Sequence, residues 1–247
     1  MNDPTDLLDA VADATDRFLD AVQAHADLTA PSLLPDWSVA HVVAHVALNA
    51  EGFVRAADDR REGRLGVMYP GGVEGRARDI DDLAAHPRET LVARLTAANE
   101  AFLAAWRDAV PEGPCCTAVG LPEFSSSTVP LRRLREVEVH GADTGLGALD
   151  PDHWSEAYVG ADLPTQWPSV ALRTTEPVMV VDEHANTWST GDGSTRDGPG
   201  AGSTGDAATV RVARRELLAW ILDRSTVRGL PPLAPWGDQS RWHRSSP

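Results

Sequence analysis

Residues Leu34-Pro35-Asp36-Trp37-Ser38-Val39-Ala40-His41-Val42-Val43-Ala44-His45-Val46-Ala47-Leu48-Asn49-Ala50 decide the reading of the fold. Pro35 stops any preceding helix, Ser38 offers an N-cap, and Val39, Val42, Val43, Val46, Ala47 and Ala50 recur three and four apart. The stretch therefore opens a helix, running from about Val39 to Arg60, whose apolar stripe is buried. Two histidines four apart, His41 and His45, stand in that stripe, and an imidazole set among valines must be satisfied by something.

The same periodicity extends to either side. Leu7, Leu8, Val11, Phe18, Leu19 and Val22 mark a helix from Asp3 to about Asp27, and Leu91, Leu95, Ala98, Phe102 and Trp106 mark one from about Pro87 to Val110. A further helix is predicted over Leu131 to Thr144, just after Pro130. Four helices of this length make a four-helix bundle the natural architecture for residues 1–147. Between the second and third helices, Gly63 to Asp82 is rich in Gly and reads as a long functional loop.

After Gly145-Leu146-Gly147 the pattern changes, and residues 148–247 read as a smaller α/β domain. A short helix is expected over Pro151 to Leu163. Strand-forming residues cluster at Val170 to Thr175, Val178 to Asp182 and Thr209 to Val212, and a last helix covers Arg214 to Arg224. Gly191 to Ala208 reads as a mobile loop, and the tail from Pro231 as irregular structure. The expected class is α+β.

Composition removes several functions. The chain has 247 residues, enough for real cores without staples, and carries a net charge of −15, so nucleic acid and anionic membrane surfaces are expected to be repelled. Every basic residue is Arg, which eliminates a P-loop lysine, a pyridoxal-phosphate lysine and any lysine nucleophile, and suggests a GC-rich bacterial coding sequence. No secretory leader or apolar span is apparent, so a cytoplasmic location is expected. Cys115 and Cys116 are adjacent, a spacing that strains a mutual disulfide and does not match Cys-x-x-Cys, so two free thiols are expected. Neither a dinucleotide fingerprint nor Gly-x-Ser-x-Gly is present.

The chemistry gathers on the fourth helix, at Arg135-Glu136-Val137-Glu138-Val139-His140. Glu136 and His140 stand one turn apart on one face, whereas Glu138 points elsewhere. Either pair alone, Glu136/His140 or His41/His45, is common on solvated helix faces. On neighbouring helices of a bundle, one histidine of the second helix with Glu136 and His140 makes a His-Glu-His set that leaves a coordination position open, the arrangement of a catalytic metal site. His25, His86, His153, His184 and His243 lack such partners and are assigned to the surface or to capping.

These motifs, with Met68-Tyr69-Pro70-Gly71-Gly72 and the following Arg76 and Arg78, then Arg135-Glu136-Val137-Glu138-Val139-His140-Gly141-Ala142-Asp143, Asp152-His153-Trp154 and Leu217-Leu218-Ala219-Trp220-Ile221-Leu222-Asp223-Arg224, occur in an order that resembles the mycothiol-dependent maleylpyruvate isomerase family. Its N-terminal half belongs to the DinB-like four-helix bundles. The resemblance spans nearly the whole chain, and departs from the family at Asp223, where glycine is common. It implies zinc held by His45, Glu136 and His140, with His41 as a competitor for the metal or as a substrate contact. It also implies a catalytic arginine at Arg224, reaching over the metal from the second domain, and substrate contacts from Arg76 or Arg78.

The implied reaction is mycothiol-dependent. A thiolate adds to the double bond of a cis-dioxo acid such as maleylpyruvate, the resulting single bond rotates, and loss of the thiolate leaves the trans isomer. The partners so implied are a small-molecule electrophile and a low-molecular-weight thiol, and the protein is expected as a monomer or small homo-oligomer. Two alternatives stay open: a thiol S-transferase acting on another electrophile in detoxification or secondary metabolism, and a non-catalytic metal-binding regulatory protein.

Overall fold

The computed structural model describes residues 4–190 and 209–236. The chain forms two compact units, Met1–Tyr158 and Val159–Pro247, and is of the α+β class. In the first unit, α1 (Pro4–Ala24), α2 (Val39–Arg61), α4 (Arg88–Arg107) and α5 (Val129–Asp143) close a four-helix bundle: α2 packs on α4 and α5, and α1 packs on the same two helices. Phe18, Val43, Leu95, Phe102 and Leu134 are fully buried between them. Each such side chain contributes through removal of its surface from water, and emptying the Phe102 site would cost about 3–5 kcal/mol.

α2 is the central helix. Apart from its C-terminal turns nearly every residue is buried, as expected of a helix apolar on more than one face. Its start is set by Ser38, whose hydroxyl accepts from the His41 amide while the Ser38 amide donates to His41 Nδ1. That reciprocal cap satisfies two otherwise orphaned donors and commits the His41 ring to it.

Two segments take a type of structure opposite to the sequence expectation. The presumed loop Gly63 to Asp82 contains strand β1 (Gly66–Val67) and begins a helix, α3 (Gly72–Ala84), which packs on α2. Glycines lower its local propensity, but burial of Ile80, Leu83 and Arg76 outweighs that cost. The presumed strand Val170 to Thr175 begins as one helical turn, α7 (Val170–Arg173). It continues the turn Trp167–Ser169, where Pro168 presets a helical φ and Val170 is buried.

The connection between α4 and α5 holds a hairpin, β2 (Pro114–Cys116) with β3 (Glu123–Ser125), and β1 runs parallel to β2. Cys115 and Cys116 are successive strand residues, so their side chains leave on opposite faces; both are buried free thiols. A Cβ at Gly66 would lie 2.8 Å from Cys115 Sγ and 2.9 Å from the Ala56 carbonyl oxygen, so only glycine fits this crossing.

The segment after α5 stays with the bundle. Trp154 donates from its indole to the Glu138 carbonyl, and Ser155 donates to the Glu138 carboxylate, which also binds Arg17 of α1 at 3.0 Å. Then α6 (Glu156–Gln166) leads into the second unit, where β4 (Met179–Val181) pairs antiparallel with β5 (Thr187–Ser189) and parallel with β6 (Val210–Arg211). β4 and β6 fall within predicted strands; β5 was not anticipated. Helix α8 (Arg214–Ile221) follows. Residues 231–236 have no regular structure, and the predicted loop Gly191 to Ala208 and His243 lie outside the described residues. Among the described residues no helix is long and apolar enough to cross a membrane.

Candidate metal centre

α2 and α5 present their chemical residues to one another. Nε2 of His45 lies 3.0 Å from Oε2 of Glu136, Nε2 of His140 lies 3.6 Å from the same oxygen, and the two imidazoles meet edge to face with centroids 4.4 Å apart. One ligand atom from each of the three residues lies within 4.8 Å of the others. The i,i+4 spacing on α5 places Glu136 and His140 on the face toward α2, while Glu138 turns toward α1.

The charge states suit a cation. Burial, with help from the Arg76 and His140 charges, pushes His45 down to about 3 against the opposing pull of Glu136, so its imidazole is neutral. Burial would raise Glu136, but the hydrogen bond to His45 and the positive charge of Arg76 close by outweigh it and hold the carboxyl well below the usual range. Two imidazoles and one carboxylate fit a borderline divalent ion such as zinc, with room for a further ligand. Nδ1 of His140 lies 2.9 Å from Oδ2 of buried Asp143, an acceptor that fixes the ring with Nε2 facing the cluster.

The other predicted site residues are placed as follows. His41 is outside the cluster: its Nδ1 serves the α2 cap and its Nε2 lies 3.7 Å from Asp81. Arg76 is buried and brings Nη2 to 2.9 Å from His45 Nδ1. Arg78 is exposed, because residues two apart on a helix point nearly oppositely and Arg76 takes the inward face. Arg224, in the second unit, follows α8, with its guanidinium donating to the Leu222 carbonyl and lying 5.6 Å from the Trp236 ring centroid. His86, His153 and His184 are exposed.

Sequence reasoning assigned no role to Arg133 or Asp143. Arg133 is fully buried and donates from Nη1 to the Val46 carbonyl at 2.8 Å and to Asn49 Oδ1 at 2.9 Å, so it clamps α5 onto α2 beside His45. Both residues sit three positions from a cluster residue, at i−3 of Glu136 and i+3 of His140, and that spacing was the available signal.

A bundle that joins two histidines and a glutamate from facing helices defines an α+β protein whose helical domain carries a candidate metal centre. The chain belongs to the Mycothiol maleylpyruvate isomerase N-terminal domain family, which residues 8–145 match. In fold it is similar to a crystal structure of the mycothiol-dependent maleylpyruvate isomerase in a mutant form, with a TM-score of 0.75 and 18% identity over 95% of this chain and 98% of that one. A second crystal structure of the mycothiol-dependent maleylpyruvate isomerase gives a TM-score of 0.74 and 19% identity over the same shares. No curated protein matches by sequence.

Proposed function

We propose that this chain is a metal- and mycothiol-dependent enzyme of the maleylpyruvate isomerase type, which uses a thiolate to isomerise an unsaturated acid. The observation that carries the reading is the convergence of His45, Glu136 and His140 within 4.8 Å in a chain of this family, with the His45 imidazole neutral and the Glu136 carboxyl ionised. When bound to these three residues, zinc supplies a Lewis acid that favours the thiolate of a thiol at neutral pH.

The protein's own part is positioning and charge. His140 is oriented by Asp143, and His45 by Arg76 and Glu136. Arg76, beside the cluster, is the cation assigned to the anionic substrate, since a planar guanidinium meets a carboxylate through two donors, and Arg224 keeps the catalytic role that the family resemblance implies. The nucleophile is the external thiol: Cys115 and Cys116 are buried and burial pushes both thiols up, which leaves them protonated and unreactive. Addition of the thiolate makes one carbon–sulfur bond and leaves a rotatable carbon–carbon bond. Expulsion of the same thiolate restores the double bond, so no thiol is consumed.

The test is metal analysis of the purified protein followed by thiol-dependent assays over a panel of electrophiles. Isomerisation of a cis-dioxo acid with thiol recovered unchanged supports the proposal. Stoichiometric thiol loss to a different electrophile would make the chain an S-transferase, and retained metal with no thiol-dependent turnover would make it a metal-binding regulator.

A further inference from the structure

Beside the cluster, α2, α3 and the first turns of α4 enclose a cleft of about 490 Å³. Arg76 lines it and also touches His45, so the cleft and the metal centre share one wall. Tyr69, only 5% exposed, is also in the wall, and no hydrogen bond of acceptable length and angle reaches its hydroxyl, although the Arg76 guanidinium carbon lies 5.5 Å from its ring centroid. The Arg76 guanidinium stands close enough to the hydroxyl to interact with it but makes no well-formed bond to it, so a ligand oxygen placed between them would meet donors from both. Arg55 lines the cleft too; its Nε donates to the Met68 carbonyl at 2.9 Å, which fixes the side chain and leaves both Nη groups for another acceptor.

The remaining charges are accounted for. Arg94 is neutralised by a two-point pair with Glu51, and His86 uses Nδ1 on the Asp82 carbonyl. Asp79 and Asp82 are exposed at the rim, where water screens them, whereas Tyr69 and Arg76 are buried inside. The interior of the cleft is therefore cationic and donor-rich in a chain of net charge −15.

We propose that this cleft receives a carboxylate of the small organic acid on which the protein acts, with the Tyr69 hydroxyl and the Arg55 and Arg76 guanidiniums as donors. The proposal rests on the functional reading above and adds to it the place of the acid group and two residues, Tyr69 and Arg55. A flat carboxylate suits the fork of an arginine and one hydroxyl donor.

The test is titration calorimetry of the metal-loaded protein with maleate, and with its neutral diamide, in the absence of any thiol. Maleate is expected to bind, the diamide to give no heat, and Tyr69→Phe and Arg55→Met each to raise the maleate Kd about tenfold, as loss of a donor to a charged group implies. Arg55→Lys, which keeps the charge, is expected to fall between wild type and Arg55→Met; unchanged melting temperatures exclude misfolding as the cause. Maleate that binds both variants as tightly as wild type is held at the metal centre alone, and that result overturns the proposal. Variant-sensitive maleate binding without thiol-dependent turnover would remove the proposed reaction and leave the carboxylate site standing.

Discussion

Nη2 of Arg76 lies 2.9 Å from Nδ1 of His45. A guanidinium only donates, so Nδ1 accepts and the ring proton sits on Nε2, toward Glu136. A metal at Nε2 needs that proton on Nδ1, where Arg76 offers no acceptor; histidine ligands ordinarily donate this N–H to a carboxylate or carbonyl. Arg76→Gln supplies an acceptor at the same place. It is expected to tighten metal binding about tenfold in chelator competition while lowering thiol-dependent activity, because the substrate cation is gone. Equal metal affinities in the two proteins would show that Arg76 withdraws without cost.

His45→Ala, Glu136→Ala and His140→Ala each remove one of three ligands and should lower metal occupancy at least about tenfold. His41→Ala should leave occupancy near wild type and instead lower stability by about 0.5–2 kcal/mol through loss of the α2 cap. Metal analysis with denaturant melts separates the two effects. Metal loss in His41→Ala with none in His45→Ala would reassign the ligand.

Arg224 and Asp223 make opposite predictions. The Arg224 amide donates to the Ala219 carbonyl and the Asp223 amide to that of Trp220, the two bonds of a Schellman turn, and Asp223 stands at φ 64°. Asp223→Gly relieves a left-handed backbone and should stabilise by about 0.5–1 kcal/mol with activity unchanged. Arg224→Ala leaves these backbone bonds intact, so metal and fold should persist while thiol-dependent kcat/KM falls at least about tenfold, with Arg224→Lys recovering part. A destabilised Arg224→Ala with full activity per folded molecule would make the residue structural.

Asp182 is expected to set the acid stability of the second unit. Burial would raise its pKa, but hydrogen bonds from the Trp188 indole, the Asn186 side chain and the Asn186 and His184 amides outweigh it and lower the value. The folded pKa lies below the unfolded one, so the contribution is complete above the ordinary aspartate range and is lost as pH falls through the folded value. Asp182→Asn should therefore lose stability at pH 7, by about 1–3 kcal/mol, and show a flatter decline between pH 5 and pH 3 than wild type. Parallel wild-type and variant curves would show that another group sets the acid limb.

Much of the bundle was legible because its helices carry their own signals. The valine and alanine spacing of α2, the Ser38 cap and the i,i+4 pair Glu136/His140 are local properties of a 3.6-residue repeat, and they identify the helices and the ligand types without any tertiary contact. Local information did not extend to α3 or α7. Glycines and β-branched residues argue against a helix at those places, and only burial of Ile80 and Leu83 against the bundle, or of Val170 in the second unit, reverses the preference.

The choice between His41 and His45 has the same origin. The sequence by itself determines that both lie on one stripe of α2, and the family resemblance favours His45. The tertiary structure decides that the His41 ring is taken by the Ser38 cap, while His45, one turn deeper, meets α5. Arg133, Asp143, Tyr69 and Arg55 acquire their places only from partners on other elements or from a cleft formed by three helices. Periodicity reports which face a residue occupies, whereas packing decides what stands opposite it, and in this protein the chemistry depends on the second.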